Sequence, residues 1–175
     1  MKVWPLVCSF LFLLVSLINP KTRLLRVIVE QIKIYKNDKT DKYYWLDFLT
    51  FIIIPIAMAF LIALNLPLSK VVRHAGTIIT VFSLIATLPL SFLALFIDKI
   101  LQTQKEKEVA KEAFVSITID ILYSMLVIGI VIIAAFLDAS PVLEQIIVGI
   151  IAFLVIKIAL NILMIIKRVF SIWEI

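Results

Sequence analysis

The chain has 175 residues, 63% of them hydrophobic and 17% charged, with a mean hydropathy of +1.16 and a formal net charge of +5. A water-soluble domain needs roughly a quarter of its residues charged to cover its exterior, so the apolar excess here has to face lipid. Three separated glycines (Gly76, Gly129 and Gly149) exclude a phosphate-cradling loop or a dinucleotide fingerprint, and one histidine (His74) and one cysteine (Cys8) exclude a closed zinc site, a haem-attachment motif and an internal disulfide.

Five apolar stretches are long enough to cross a hydrocarbon core about 30 Å thick. Residues 3–20, 48–69 and 75–97 carry no charge, whereas 113–137 and 142–166 are interrupted well inside by Asp120 and Lys157. The pattern predicts an all-α integral membrane protein: a single transmembrane domain with spans at about 3–20, 48–66, 75–97, 113–137 and 142–166. The first stretch also invites reading as a signal peptide, since it is short and follows Lys2. Its end, Val15-Ser16-Leu17-Ile18-Asn19-Pro20, offers no small-x-small cleavage pattern, so it is taken as a retained span.

Residues 21–36 follow that span with apolar Leu24, Ile28, Ile32 and Tyr35 at helical spacing, opposite Arg23, Arg26, Glu30 and Lys33, with Lys36 at the end. This predicts a basic amphipathic helix lying on the inner membrane face, an elbow held by anionic lipid. A docking surface for a cytosolic partner is the alternative. Residues 98–112 hold four bases and four acids with no glycine or proline, and so predict a cytoplasmic helical extension of the third or fourth span.

Loop charges set the orientation. Thirteen Lys and Arg residues fall in 21–42, 99–111 and 167–168, against Lys2, Lys70 and Arg73 on the other side. The N-terminus is therefore expected outside and the C-terminus in the cytoplasm, in a bacterial inner membrane. Tyr43, Tyr44, Trp45, Trp4 and Trp173 flank the spans as interfacial anchors. The positive balance reflects orientation; a direct nucleic-acid partner is not expected.

Ionisable side chains at membrane depth are costly, which makes Asp120 and Lys157 the most informative positions. The short connector Asp138-Ala139-Ser140-Pro141 makes the fourth and fifth spans an antiparallel hairpin. Counted back from it, Asp120 and Lys157 lie about 26 and 23 Å down their helices at 1.5 Å per residue, nearly level and towards the cytoplasm. The expectation is an intramembrane charge pair, with Asn161, Ser116, Tyr123 and Ser124 supplying further hydrogen bonds and Thr118 joining only if its face allows. Such a pair either fixes helix register, with Lys157 alternatively snorkelling to the inner interface, or lines an ion- or proton-sensitive path.

The third span carries Gly76, Thr80, Ser83, Thr87 and Ser91 at spacings of four, three, four and four. A small, weakly polar stripe of this kind predicts a helix-packing seam, within the subunit or against another copy. Pro55 and Pro89 each remove a backbone donor from their spans and predict local distortion. There is no H-E-x-x-H, no G-x-S-x-G and no nameable set of nucleophile, base and oxyanion donor, so a non-catalytic protein without cofactor or metal is expected.

From residue 43 onward, the order of spans resembles the small polytopic membrane proteins of bacterial phage-exclusion and abortive-infection systems of the Rex type. The likeness rests on Phe51-Ile52-Ile53-Ile54-Pro55-Ile56, the Ala75-Gly76-Thr77 start of the next span, the charged stretch 104–112, and the closing hairpin with its Lys167-Arg168 tail. The first span and its elbow depart from that pattern. The resemblance implies an antiviral membrane sensor or pore-like effector, ion-channel-like in action, working beside a soluble cytoplasmic protein. A homo-oligomer in the lipid bilayer is expected as well. From a different class, the alternatives are the membrane subunit of a transporter, or an immunity protein that binds a toxin in the bilayer.

Overall fold

A computed structural model describes residues 49–100, 104–138 and 140–173, which are helical throughout apart from short connectors. The expected first span, the basic helix over 21–36 with Arg23, Arg26, Lys33 and Lys36, and the aromatic cluster at 43–45 lie outside these residues.

The second expected span begins as a π-helical turn, Leu49–Ile53, and continues as α1, Ile54–Asn65, with Pro55 in its first turn. Proline is tolerated there because the first turn of a helix has unfilled N–H positions, and a wider π turn is one way a helix accommodates a missing donor. Leu66 leaves the helix in extended conformation (φ −107°, ψ 113°), as a residue preceding proline must. Between the second and third expected spans, where the sequence analysis places only Lys70 and Arg73 on the outer side, the structure has a short helix. Pro67 in extended conformation starts α2, Leu68–Arg73, which buries Leu68 and Val71 and leaves Lys70 and Arg73 outward. Its apolar residues recur at three- and four-residue spacing, but six residues are too few to stand out as a periodic signal.

His74 ends α2 and starts α3, Ala75–Ile100, which contains Pro89. Then follow α4, Gln104–Ala134, and α5, Pro141–Trp173. The charged stretch 98–112 is thus divided: 98–100 end α3 and 104–112 begin α4.

Helices α1 and α5 pack together, α5 packs on α4, and α4 on α3, so the order across the molecule is α1, α5, α4, α3, not the order along the chain. Helix α2 touches α5, α4 and α3 and closes one end. The apolar core joins Val127, Val131 and Ala134 of α4 to Val148, Ile151, Leu154 and Ile158 of α5, with Leu68, Val71 and Phe82 from α2 and α3. Between α1 and α5 the fit is made by small residues. Ala59 and Ala63 are buried, and a Cβ placed on Gly149 would lie 3.5 Å from that of Ala63.

Two helical stretches are long and apolar enough to cross a membrane: Lys111–Ala134, 24 residues, and Pro141–Lys167, 27 residues. At 1.5 Å per residue these reach about 36 and 40 Å. The runs Leu49–Asn65 and Ala75–Pro89 are apolar but shorter. Large apolar side chains crowd the outside, among them Phe60 and Leu61 of α1, Leu88 of α3, Met125 of α4 and Val142 of α5, while Ser116, Asp120, Ser124, Lys157 and Asn161 lie buried. That is the inverse of the arrangement a protein adopts in water.

Candidate functional site

Four-residue spacing places Ser116, Asp120 and Ser124 on one face of α4, and the same spacing places Lys157 and Asn161 on one face of α5. All five side chains are buried, Asp120 at 1% exposure and Asn161, Ser116 and Ser124 at 0%.

The hydrogen bonds differ from those that a charge pair would suggest. Asn161 Nδ2 donates to Asp120 Oδ1 at 2.9 Å, and Lys157 Nζ donates to the backbone carbonyl of Phe51 at 3.0 Å. Asp120 and Lys157 attract each other electrostatically, but each is anchored on a different partner. Counting from the connector puts Asp120 and Lys157 almost level; the observed bond instead sets Asn161 opposite Asp120. Lys157, one turn before Asn161 in α5, therefore lies about 6 Å nearer the connector than the residue that reaches Asp120. The physical reason is that α5 is sandwiched. One of its sides meets α4 and the other meets α1, so two polar residues one turn apart can serve different neighbours.

Phe51 is the participant that sequence reading missed, because it contributes a backbone oxygen. In an α-helix its carbonyl would accept from the N–H of residue 55, and Pro55 has none. The ammonium of Lys157 brings a charged donor to that carbonyl from 106 residues away in the chain. Pro55 itself was visible as a lost donor; the Lys157 bond to the Phe51 carbonyl was not.

Of the other expected contributors, Tyr123 is half-buried and packs against the apolar core. Thr118 turns back to the Phe114 carbonyl of its own helix at 2.9 Å. Among the described residues Ser124 Oγ is buried with no hydrogen-bond partner, a condition that typically costs about 1–3 kcal/mol. Among the described residues no three His, Cys, Asp or Glu side chains come together.

The stripe Gly76, Thr80, Ser83, Thr87 and Ser91 does not form a seam with another described helix: all five residues are exposed on α3. Thr80, Thr87 and Ser91 donate to carbonyls one turn back, Gly76, Ser83 and Thr87 respectively, at 2.9, 3.0 and 3.2 Å. Helix α3 meets the rest through its other face, where Phe82 is buried and Ile78 and Ile85 pack on the core. The intramolecular small-residue seam is the one between α1 and α5.

Chemically, the constellation holds two opposite charges in an apolar surround and ties three chain segments together through them. Compared with protein-family models, curated proteins and solved structures, the chain matches none of them.

Proposed function

We propose that the protein is a non-catalytic multi-pass membrane protein, a sensor or pore-like effector of the phage-exclusion kind, acting beside a soluble cytoplasmic component. The observation that carries this reading is the buried set Asp120, Asn161 and Lys157 inside a helical assembly whose exterior is apolar. Side chains of this kind are retained at membrane depth where charge or water has to be handled, or where two packings must be told apart.

In this proposal the chain crosses the inner membrane five times, with α1, α3, α4 and α5 as the later four crossings and basic connectors inside. The outward small-residue stripe of α3 serves association with further copies, because hydroxyls satisfied on their own helix let backbones approach without leaving unpaired groups in lipid.

The test is electrical. Purified protein in liposomes, and cells carrying the protein during phage challenge, are followed with a voltage-sensitive dye; depolarisation altered by Asp120→Asn and by Lys157→Met is the expected result. Absence of depolarisation under every trigger, with both variants behaving as wild type, removes the pore-like reading. Co-purification with an ATPase, or rescue of cells from one specific toxin, would replace it with the transporter-subunit or immunity reading.

A further inference from the structure

Helix α2 is short, but it is held from several sides. Leu68 and Val71 belong to the apolar core, at 4% and 7% exposure, and the helix touches α3, α4 and α5. Lys70 and Arg73 are exposed three positions apart, and exposed His74 follows Lys70 by four. That spacing puts the three on one face, with Cβ atoms about 5–6 Å from one to the next. Two cations are therefore displayed side by side on an element that the core holds in place.

This face lies where the apolar exterior ends. Leu64, near the end of α1, is 54% exposed, and Asn65 after it turns its amide back to the Leu61 carbonyl at 2.8 Å. Helices α3 and α4 are consecutive and pack side by side, so α4 ends and α5 begins at this same end, where Phe136 is 48% and Val142 67% exposed. Asp138 and Glu144 stand at this end too, yet among the described residues neither forms an ion pair with Lys70 or Arg73. With two acids beside two bases, the end offers no general positive field. What it offers is local: one ammonium and one guanidinium fork above an apolar wall.

We infer that α2 is a binding site for the phosphate of an anionic phospholipid, with Lys70 and Arg73 as donors and the acyl chains against the exposed apolar side chains of this end. An ammonium and a guanidinium can share one phosphodiester, and such charge-assisted bonds are short and strong. A zwitterionic lipid fits less well, because its headgroup brings a positive charge to a face that already carries two. Free phosphate would use the cations and leave the apolar wall unused, and nucleic-acid binding draws on many more phosphate contacts than two cations supply. The inference takes from the proposed function only the membrane setting, and it concerns a site separate from the basic stretch over 21–36.

Fluorescence quenching tests it. Full-length protein carrying Cys8→Ser and Ser69→Cys, labelled with bimane at exposed position 69 and placed in phosphatidylcholine vesicles, reports the lipid beside α2. Quenching is compared between phosphatidylglycerol and phosphatidylcholine bearing the same acyl-chain spin label. Phosphatidylglycerol should be preferred. Lys70→Gln and Arg73→Gln should each lower the preference about fivefold, the scale of one basic side chain at an anionic surface, and Lys70→Arg should keep it. Asp138→Asn should leave it unchanged, because the attraction is local to α2. Equal quenching by the two lipids, or a preference that survives in the variant carrying both Lys70→Gln and Arg73→Gln, overturns the site. So does a preference abolished by free glycerol phosphate, which would assign the face to a soluble anion. Quenching by neither lipid would overturn the membrane setting as well, whereas equal quenching leaves that setting standing.

Discussion

Asn161 Nδ2 and Asp120 Oδ1 lie 2.9 Å apart in the centre of the α4–α5 contact, and this bond sets the register of the two longest helices. A buried carboxylate deprived of its donor has no water to turn to, so its loss is felt in full. Asn161→Leu should destabilise the protein by about 2–3 kcal/mol, since hydrogen bonds to charged groups contribute about 1.5–3 kcal/mol and the vacated carboxylate stays buried. Asn161→Asp should be worse, because it sets two carboxylates face to face. Heat-induced unfolding in detergent, followed by far-UV circular dichroism, reads both. An Asn161→Leu protein as stable as wild type would mean that the register is set elsewhere.

The charges should behave as a unit despite having different hydrogen-bond partners. Lys157→Met alone leaves the Asp120 carboxylate without its compensating charge, and Asp120→Asn alone does the same to the ammonium. Removing one member of a buried pair typically costs about 3–5 kcal/mol, while removing both costs far less. A double-mutant cycle on the same unfolding measurement should therefore give a coupling above about 1 kcal/mol, with the double variant more stable than either single one. Additive effects would show that the two charges are compensated independently.

How far this site was legible follows from what each participant is. Asp120 and Lys157 announced themselves as charges in otherwise apolar runs, and Asn161, Ser116 and Ser124 followed from four-residue spacing around them. Register was read about half a turn off because a connector's length does not say how a chain turns; the side chain with the right donor decided it. Phe51 was invisible, since a backbone carbonyl has no sequence signature beyond the proline four residues later. The adjacency of α1 and α5 was equally hidden, being a contact between the first and last described helices. The stripe on α3 was read correctly as small and polar, but periodicity reports a face and not which neighbour covers it.

At the α1–α5 contact, Gly149 distinguishes close packing from crowding. A methyl group there would stand 3.5 Å from Ala63 Cβ, an ordinary van der Waals separation. Gly149→Ala should therefore fold normally and gain up to about 1 kcal/mol from helix propensity. Gly149→Leu must push α1 away from Ala59 and Ala63, and should lose about 1–3 kcal/mol to overpacking. The same thermal unfolding assay separates them. Equal stability of the two variants would mean that α1 does not rest closely on α5.

The exposed hydroxyls of α3 give a prediction of the opposite kind, in which a single copy is indifferent and the assembly is not. Thr80 and Thr87 donate to Gly76 and Ser83 on their own helix, so replacing either by valine removes no contact to the rest of the molecule. The isolated chain in excess detergent should keep its stability within about 0.5 kcal/mol, as surface changes usually do. If further copies pack on this face, enlarging it has a different outcome. Gly76→Leu together with Ser83→Leu fills the groove that permits close approach, while a Cβ at Gly76 meets nothing within 4 Å in the single chain. Energy transfer between donor- and acceptor-labelled copies in liposomes should fall in the double leucine variant while circular dichroism stays unchanged. Unaltered transfer would assign association to another face; a collapse of helicity would mean that the stripe supports the fold of one chain after all.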